Sequence, residues 1–256
     1  MEINQTALAD IYNLRREYLS CLVRFQDIYL EFLVSDSVAY QIIDNEQIVG
    51  YAIVYNDNNL VEYYIVNDQL HQCTHYFSTL INKLSISIVS CKSFDFTLLN
   101  CCLTNALRYS IVGYLYRDFI DMGIQSTTDL FFRYANLSDL PFLAKQDDDV
   151  FEPKEMLKEF IVNKAILIVQ KQRSVVGCGF LTRVTEDFNY FDLGVWVDPA
   201  CRKQGHATQI MSYMRQLCLN NDWIPICGCD ASNFASQKML SNVGFVSNHK
   251  LIEFKV

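Results

Sequence analysis

A faint duplication constrains this chain more than any other feature of its sequence. "YQIIDNEQIVGYAIVY" (residues 40–55) reads as strand, turn and strand, and "AILIVQKQRSVVGCGFLTRV" (residues 165–184) repeats that plan with Gly177 in the place of Gly50. Downstream, "LVEYYIVND" (residues 60–68) parallels "YFDLGVWVD" (residues 190–198), and "LRYSIVGYL" (residues 107–115) parallels "KMLSNVGFV" (residues 238–246). Across these anchors the offset drifts only from 127 to 131 residues, which argues for duplication over chance. A chain of 256 residues built this way divides into two modest domains, 1–123 and 127–256, with the boundary near the polar "MGIQSTT" of residues 122–128. Each copy reads as one or two helices, a strand pair, a third strand, a helix and further strands, an α/β (α+β) plan.

Charge separates the two copies. Residues 1–123 carry 7 Lys+Arg against 14 Asp+Glu, a net of -7, and the remainder carries 14 against 15, a net of -1. Neither half offers the basic face that nucleic acid demands, but the near-neutral second half can accept an anionic ligand. No apolar run approaches the roughly 18–20 residues of a membrane span, and the polar, acidic amino terminus does not read as a secretory signal. The expected location is the cytoplasm, with neither membrane nor nucleic acid as partner. The ten cysteines are then expected to be thiols, and since none has convincing metal-ligand spacing, no metal site is expected.

One stretch, "VDPACRKQGHATQI" (residues 197–210), carries most of the functional signal. Phe191, Leu193, Val195 and Val197 alternate as a strand does, Pro199 ends the ladder, and from about His206 the apolar residues Ala207, Ile210, Met211, Met214, Leu217 and Cys218 follow a helical period. The start of a helix presents unpaired N–H donors at the positive end of its dipole. Gly205 and Ala207 let a phosphate approach that backbone, and Arg202 and Lys203 add positive charge beside it. Taken alone, these residues fit a plain connector with a turn glycine equally well.

The wider context resembles the GCN5-related N-acetyltransferase superfamily. Its signature is a strand ending in V-x-P, then R/Q-x-x-G-x-G/A, then a helix; here stand Val197, Asp198 and Pro199, then Arg202, Lys203, Gln204, Gly205, His206 and Ala207. A second family feature, an asparagine after the next strand followed by a helix and "GF", is matched by "IPICGCDASNFASQKMLSNVGF", with Asn233, Ser236, Gly244 and Phe245. The softer pattern from Pro225 to Ser236 is similar to members that acylate small molecules. The similarity is strong from about Thr127 onward and fold-level only before it. It implies two tandem domains, each a mixed central sheet flanked by helices, with splayed central strands in the carboxyl-terminal copy. The first copy then looks degenerate: by the repeat, Gly205 falls on His75, Ala207 on Phe77 and Arg202 on Gln72.

What the resemblance implies is acetyl transfer from acetyl-coenzyme A to an amine of a small molecule or peptide. Val195, Trp196 and Val197 would border the pantetheine arm, residues Lys203 to Thr208 would cradle the pyrophosphate, and Asn233 and Ser236 would face the cofactor across the splay. Asp192 is the favoured general base, on the face of Trp196 if alternation holds, although family strands often bulge here and shift that face. Glu186, Asp187, Asp230 or a bound water are further candidates. Many relatives carry a tyrosine as general acid seven residues after the asparagine, where this chain has Leu240, so Ser236 and Ser241 are the substitutes; the first copy's Tyr109, at the matching place, is expected to pack in the core. An acyl-coenzyme A-binding or regulatory module with little or no turnover is the competing reading. A dinucleotide-binding dehydrogenase lacks its G-x-G-x-x-G. Oligomeric state, acceptor identity and acyl length are not legible.

Overall fold

Both copies contain the same tight hairpin, and the backbone shows why. Asn45 and Glu46 (φ +48° and +65°) join two strands in the first copy, and Gln172 and Arg173 (φ +50° and +80°) do so in the second. Two consecutive left-handed residues make the turn whose twist matches that of paired strands. The computed structural model describes residues 1–106, 108–120, 122 and 129–256, arranged as two units: Met1–Leu115 with Asp230–Ser232 and Asn248–Val256, and Tyr116–Cys229 with Asn233–Ser247. The expected boundary segment, apart from Met122, lies outside the described residues.

In the first unit β1 (Glu2–Thr6), α1 (Tyr12–Cys21), α2 (Ile28–Ser35), β2 (Val38–Asp44), β3 (Gln47–Tyr55), β4 (Asn59–Ile65), α3 (Cys73–Lys83), β5 (Ile88–Lys92), α4 (Phe96–Asn105) and β6 (Arg108–Tyr116) follow in turn. β1 to β4 are antiparallel neighbours, and β4 meets β5 in parallel at only two positions, Asn59 opposite Ile88 and Leu60 opposite Val89. Its core gathers Ile42, Leu60, Tyr63, Phe77, Leu80, Leu98 and Phe254.

The second unit runs β7 (Asp118–Phe119), β8 (Phe131–Tyr134), α5 (Leu140–Leu143), α6 (Leu157–Val162), β9 (Ile166–Lys171), β10 (Ser174–Arg183), β11 (Tyr190–Val197), α7 (His206–Leu219), β12 (Ile224–Asp230), α8 (Phe234–Asn242) and β13 (Phe245–Val246). β8 to β11 are antiparallel, and β12 lies parallel to β11. Gly177 permits a close approach, since a Cβ there would sit 2.5 Å from the Trp196 carbonyl oxygen; Gly50 stands in the same relation to Tyr64 in the first unit. The structure thus repeats the glycine anchor read from the sequence.

Two expectations need correction. The last strand, β14 (His249–Lys255), pairs with both β5 and β6, so residues 248–256 complete the first unit's sheet and do not belong with the second copy. Phe254 is buried in the first core, which supplies the driving force. The third anchor of the repeat also fails: residues 108–115 form strand β6, whereas 238–242 lie in helix α8. The true counterpart of α8 is α4, since α4 follows the parallel strand β5 as α8 follows the parallel strand β12, and each is capped alike: Asp95 accepts from the Leu98 N–H (3.1 Å) and Asn233 from the Ser236 N–H (3.0 Å). Tyr109 accordingly is no core residue; it is exposed on β6, its ring 5.8 Å from that of Phe254.

Candidate active site

The site is built where two parallel strands part. β11 and β12 are paired at Tyr190, Phe191 and Asp192, opposite Ile224, Pro225 and Ile226, and nowhere beyond. Against β10, by contrast, β11 stays in register without a bulge from Phe191 to Val197. The irregularity falls instead in the first unit, where Ile53 faces Glu62 and Val54 faces Leu60, leaving Val61 extra.

Unbroken register fixes what each β11 residue faces. The Asp198 N–H donates to the Val176 carbonyl (3.0 Å), and the Ile224 N–H donates to the Asn189 carbonyl (2.8 Å). Even-numbered residues of β11 therefore bond to β10, and odd-numbered ones turn their main-chain groups toward β12. Once β12 departs, Leu193, Val195 and Val197 hold N–H and C=O groups along an edge without a strand partner among the described residues. The Val197 carbonyl is taken by Arg202 Nε (3.0 Å), whose Nη2 also lies 3.7 Å from Asp148. Arg202 thus braces the loop onto the end of β11.

Side chains divide between the two faces. Trp196 is buried against Phe151 and Phe142, with ring centroids 5.4 and 6.2 Å apart, and its main-chain groups turn to β10, so against expectation neither its side chain nor its backbone faces the open edge. Asp192 lies on that same face opposite Thr182, half-buried, at the apex of the fork where the last β11–β12 pair stands. Gly194 follows on the same face and keeps it shallow, since a Cβ there would lie 3.1 Å from Val150.

Past β11, Asp198 accepts from the Ala200 N–H (2.8 Å) and the chain curls through Lys203 (φ +63°) to Gly205 (φ +83°), which is the residue before α7. A Cβ at Gly205 would meet nothing within 4 Å, so open space adjoins the first turn of α7. The N–H groups of His206, Ala207 and Thr208 have no acceptor among the described residues, as expected for a helix start lacking a side-chain cap. His206 is 4% exposed, with its Nδ1 unpartnered among the described residues. Lys203 and Gln204 are exposed.

The opposite bank is β12 and α8. Asn233 uses Oδ1 for its cap, which leaves its exposed amide nitrogen for another partner, and Ser236 is half-buried. Leu240 is buried. Ser241, offered as a proton donor, bonds the Gln237 carbonyl of its own helix (2.9 Å). Glu186 and Asp187 lie exposed in the loop that precedes β11, at the end of the strand away from Gly205. Asp230 falls in the first unit, and hydrogen bonds from Ser232 hold its carboxyl below the usual range, making it a weaker base. Buried Arg117, which donates to the Cys227 carbonyl (2.6 Å) of β12, is a support that sequence reading missed; its only signal was a lone arginine in "GYLYRDFI". All ten cysteines are free thiols, burial pushes Cys178 and Cys218 up to about 12, and no metal-binding cluster occurs among the described residues.

The first unit treats the corresponding place differently. α3 begins at Cys73 after a 3-10 turn, Asn67–Gln72, so Gln72, with φ -100°, stands where Gly205 stands in the second unit. His75 and Phe77, matched to the loop by the sequence offset, lie inside the helix, and Phe77 is core. Just past the parting of β4 and β5, Gln26 joins the two strands by accepting from Lys92 Nζ (3.0 Å) and donating to Glu62 (3.0 Å). A polar plug fills the first fork.

Comparison with known proteins agrees with this geometry. Residues 7–119 match the family described as "Acetyltransferase (GNAT) domain", and residues 129–245 match "Acetyltransferase (GNAT) family". Among solved structures, an acetyltransferase of the GNAT family from Colwellia psychrerythraea superimposes with a TM-score of 0.89 at 18% identity, covering 100% of this chain and 99% of that one. A tandem GNAT protein from the clavulanic acid biosynthesis pathway gives 0.63 at 9% identity, over 100% and 98% of the two chains. A GCN5-related N-acetyltransferase from Sphaerobacter thermophilus gives 0.62 at 11% identity, over 99% and 95%. No curated protein matches. No described helix is long and apolar enough to cross a membrane.

Proposed function

Because the chain belongs to the GNAT acetyltransferase family, in two tandem copies, we propose that its second unit transfers the acetyl group of acetyl-coenzyme A to an amine of a small molecule or peptide in the cytoplasm. One observation carries this reading: the unpartnered edge of β11 leads directly to the left-handed loop at Gly205 and the open first turn of α7. The donor set fits the co-substrate. Amide N–H groups beside a glycine suit a pyrophosphate, and a strand edge with free N–H and C=O groups suits the two amides of a pantetheine arm. The plugged fork of the first unit supports a single cofactor site per chain.

An amine attacks only when neutral and held in line, so the chain's contribution is to position it and take a proton. Asp192, at the fork apex, is the base, acting directly or through a water. Main-chain N–H groups on the open edge of β11 stabilise the oxyanion of the tetrahedral intermediate. Ser236 is the group on the α8 bank that returns a proton to the departing thiolate, a modest demand because a thiol with pKa about 8.5 leaves without strong assistance. Burial and a raised pKa make Cys178 and Cys218 poor nucleophiles, so neither carries the acetyl group in this reading.

Incubating the full chain with acetyl-coenzyme A and a panel of amines is expected to release free thiol with at least one acceptor. Asp192→Asn is expected to lower kcat about 100-fold at neutral pH with KM for acetyl-coenzyme A little changed. Silence across the panel with coenzyme A still bound favours the second reading, an acyl-coenzyme A-binding module, for which buried Leu240 in place of the family's tyrosine is the motive.

A further inference from the structure

Arg202 touches two parts of the second unit that the reaction must bring together. Its Nε donates to the Val197 carbonyl (3.0 Å) on the open edge of β11, its Nη2 stands 3.7 Å from the Asp148 carboxylate, and its Nη1 has no partner among the described residues. Asp148 in turn shapes the face that carries Asp192. Its carboxylate accepts from the Val150 N–H (3.4 Å) and its carbonyl from the Phe151 N–H (3.0 Å), which fixes the 3-10 turn Asp149–Phe151. That turn lies against the base side of β11: Phe151 packs edge-on to Trp196 and Phe180, and Val150 covers Gly194, two residues from Asp192. Glycine leaves a notch there, and half-buried Val150 occupies it.

We propose that Asp148 is a positioning residue that links cofactor loading to the acceptor side. It holds the Arg202 guanidinium until the pyrophosphate of coenzyme A takes it, and its release loosens Val150 from the Gly194 notch, opening room beside Asp192 for the amine. The inference rests on the acetyl-coenzyme A reading and deepens it by making Asp148 a competitor of the cofactor. An ion pair of this length between partly exposed side chains contributes little, so it yields to a stronger partner. A pyrophosphate at the amides of residues 206–208 is such a partner, since it carries more charge than a carboxylate and presents several oxygens to a guanidinium.

Calorimetry with free coenzyme A and hydrogen exchange over residues 149–151 test it on the full chain. Asp148→Asn keeps an oxygen for the Val150 N–H and loses the charge, so it is expected to bind coenzyme A about two- to fivefold more tightly. In the Arg202→Gln background the same substitution should change affinity by less than about 1.5-fold. Coenzyme A should speed exchange at residues 149–151 in the wild type while slowing it at 206–208. In Asp148→Asn the 149–151 segment should exchange fast with or without ligand, and Asp148→Glu should restore the response. A side chain that only steadied the turn would give faster exchange but no gain in affinity. If the wild type binds coenzyme A and Asp148→Asn gains no affinity, or exchange at 149–151 ignores the ligand, the link is overturned while the functional reading stands. If neither protein binds coenzyme A, both fall together.

Discussion

Gly205→Asp is expected to weaken coenzyme A binding at least about 100-fold, equivalent to about 2.7 kcal/mol, with the unfolding transition almost unmoved. The two halves of that expectation have separate causes. A side chain at residue 205 meets nothing within 4 Å, and aspartate tolerates the left-handed backbone better than most residues, so the fold gives little ground. The new carboxylate, however, stands at the positive end of α7, where the N–H groups of His206, Ala207 and Thr208 are otherwise free to meet a pyrophosphate. Gly205→Asn has nearly the same shape without the charge, and it should fall between wild type and Gly205→Asp. Titration calorimetry with free coenzyme A reads all three proteins. Equal affinity for wild type and Gly205→Asp would mean that the amides around residue 205 hold no anion.

Much of this site could be read before any fold was known, because its signals are local. A strand alternation, a proline, a glycine and a helical period lie within residues 191–218, and each acts through backbone geometry that needs no distant partner. The hairpin turns were equally local. What stayed hidden was set by pairings between remote segments. β14 has the alternation of a half-buried strand but nothing in its sequence says which sheet it will complete, and its partners β5 and β6 lie well over 100 residues away. The pairing of residues 107–115 with 238–246 failed for a related reason. The shared "VG" and its apolar flanks occur within a strand in one copy and at the end of a helix in the other. Only the order of elements, with α4 after β5 and α8 after β12 and each capped at its start, reveals which helices correspond.

The bulge shows a third kind of limit. Whether Asp192 shares a face with Trp196 depends on one residue of register, and register belongs to a pair of strands. The β10–β11 pair of the second unit keeps it unbroken; in the first unit the β3–β4 pair carries the extra Val61. Charged residues were the least legible of all. In sequence Arg15, Glu31 and Glu62 look like ordinary solvated side chains, yet they form one ion-pair cluster in the first unit, with Glu62 buried and Arg15 and Glu31 half-buried. Arg15 donates to Glu62 through Nε (3.0 Å) and Nη2 (2.9 Å) and to both oxygens of Glu31 (2.9 Å each).

That cluster sets the second large effect: Arg15→Met is expected to destabilise the protein by about 3–5 kcal/mol. Glu62 is 1% exposed and also accepts from Tyr51 (3.0 Å) and Gln26, but neither partner carries charge. Burial pushes the Glu62 carboxyl up, and the Arg15 charge and hydrogen bonds, helped by the Lys92 charge and the Gln26 hydrogen bond, together outweigh burial and hold it below the ordinary range. For Glu31 burial wins, and its carboxyl is raised despite the same guanidinium. A carboxyl with a depressed pKa contributes stability that is present above its unfolded value, about 4.3, and is lost as pH falls through the folded value. Without Arg15 the sign reverses. Burial, the largest influence on Glu62, is then opposed only by the Lys92 charge and the Gln26 hydrogen bond, so the carboxyl rises, the folded state favours its protonated form, and the variant regains stability as pH falls from 7 toward 5. Urea unfolding at both pH values checks this: the gap between Arg15→Met and wild type should narrow at pH 5, and Arg15→Met/Glu62→Gln should recover much of the loss at pH 7. A gap that is the same at both pH values, with no recovery in the double variant, would show that Arg15 contributes packing and not charge to the plug between β4 and β5.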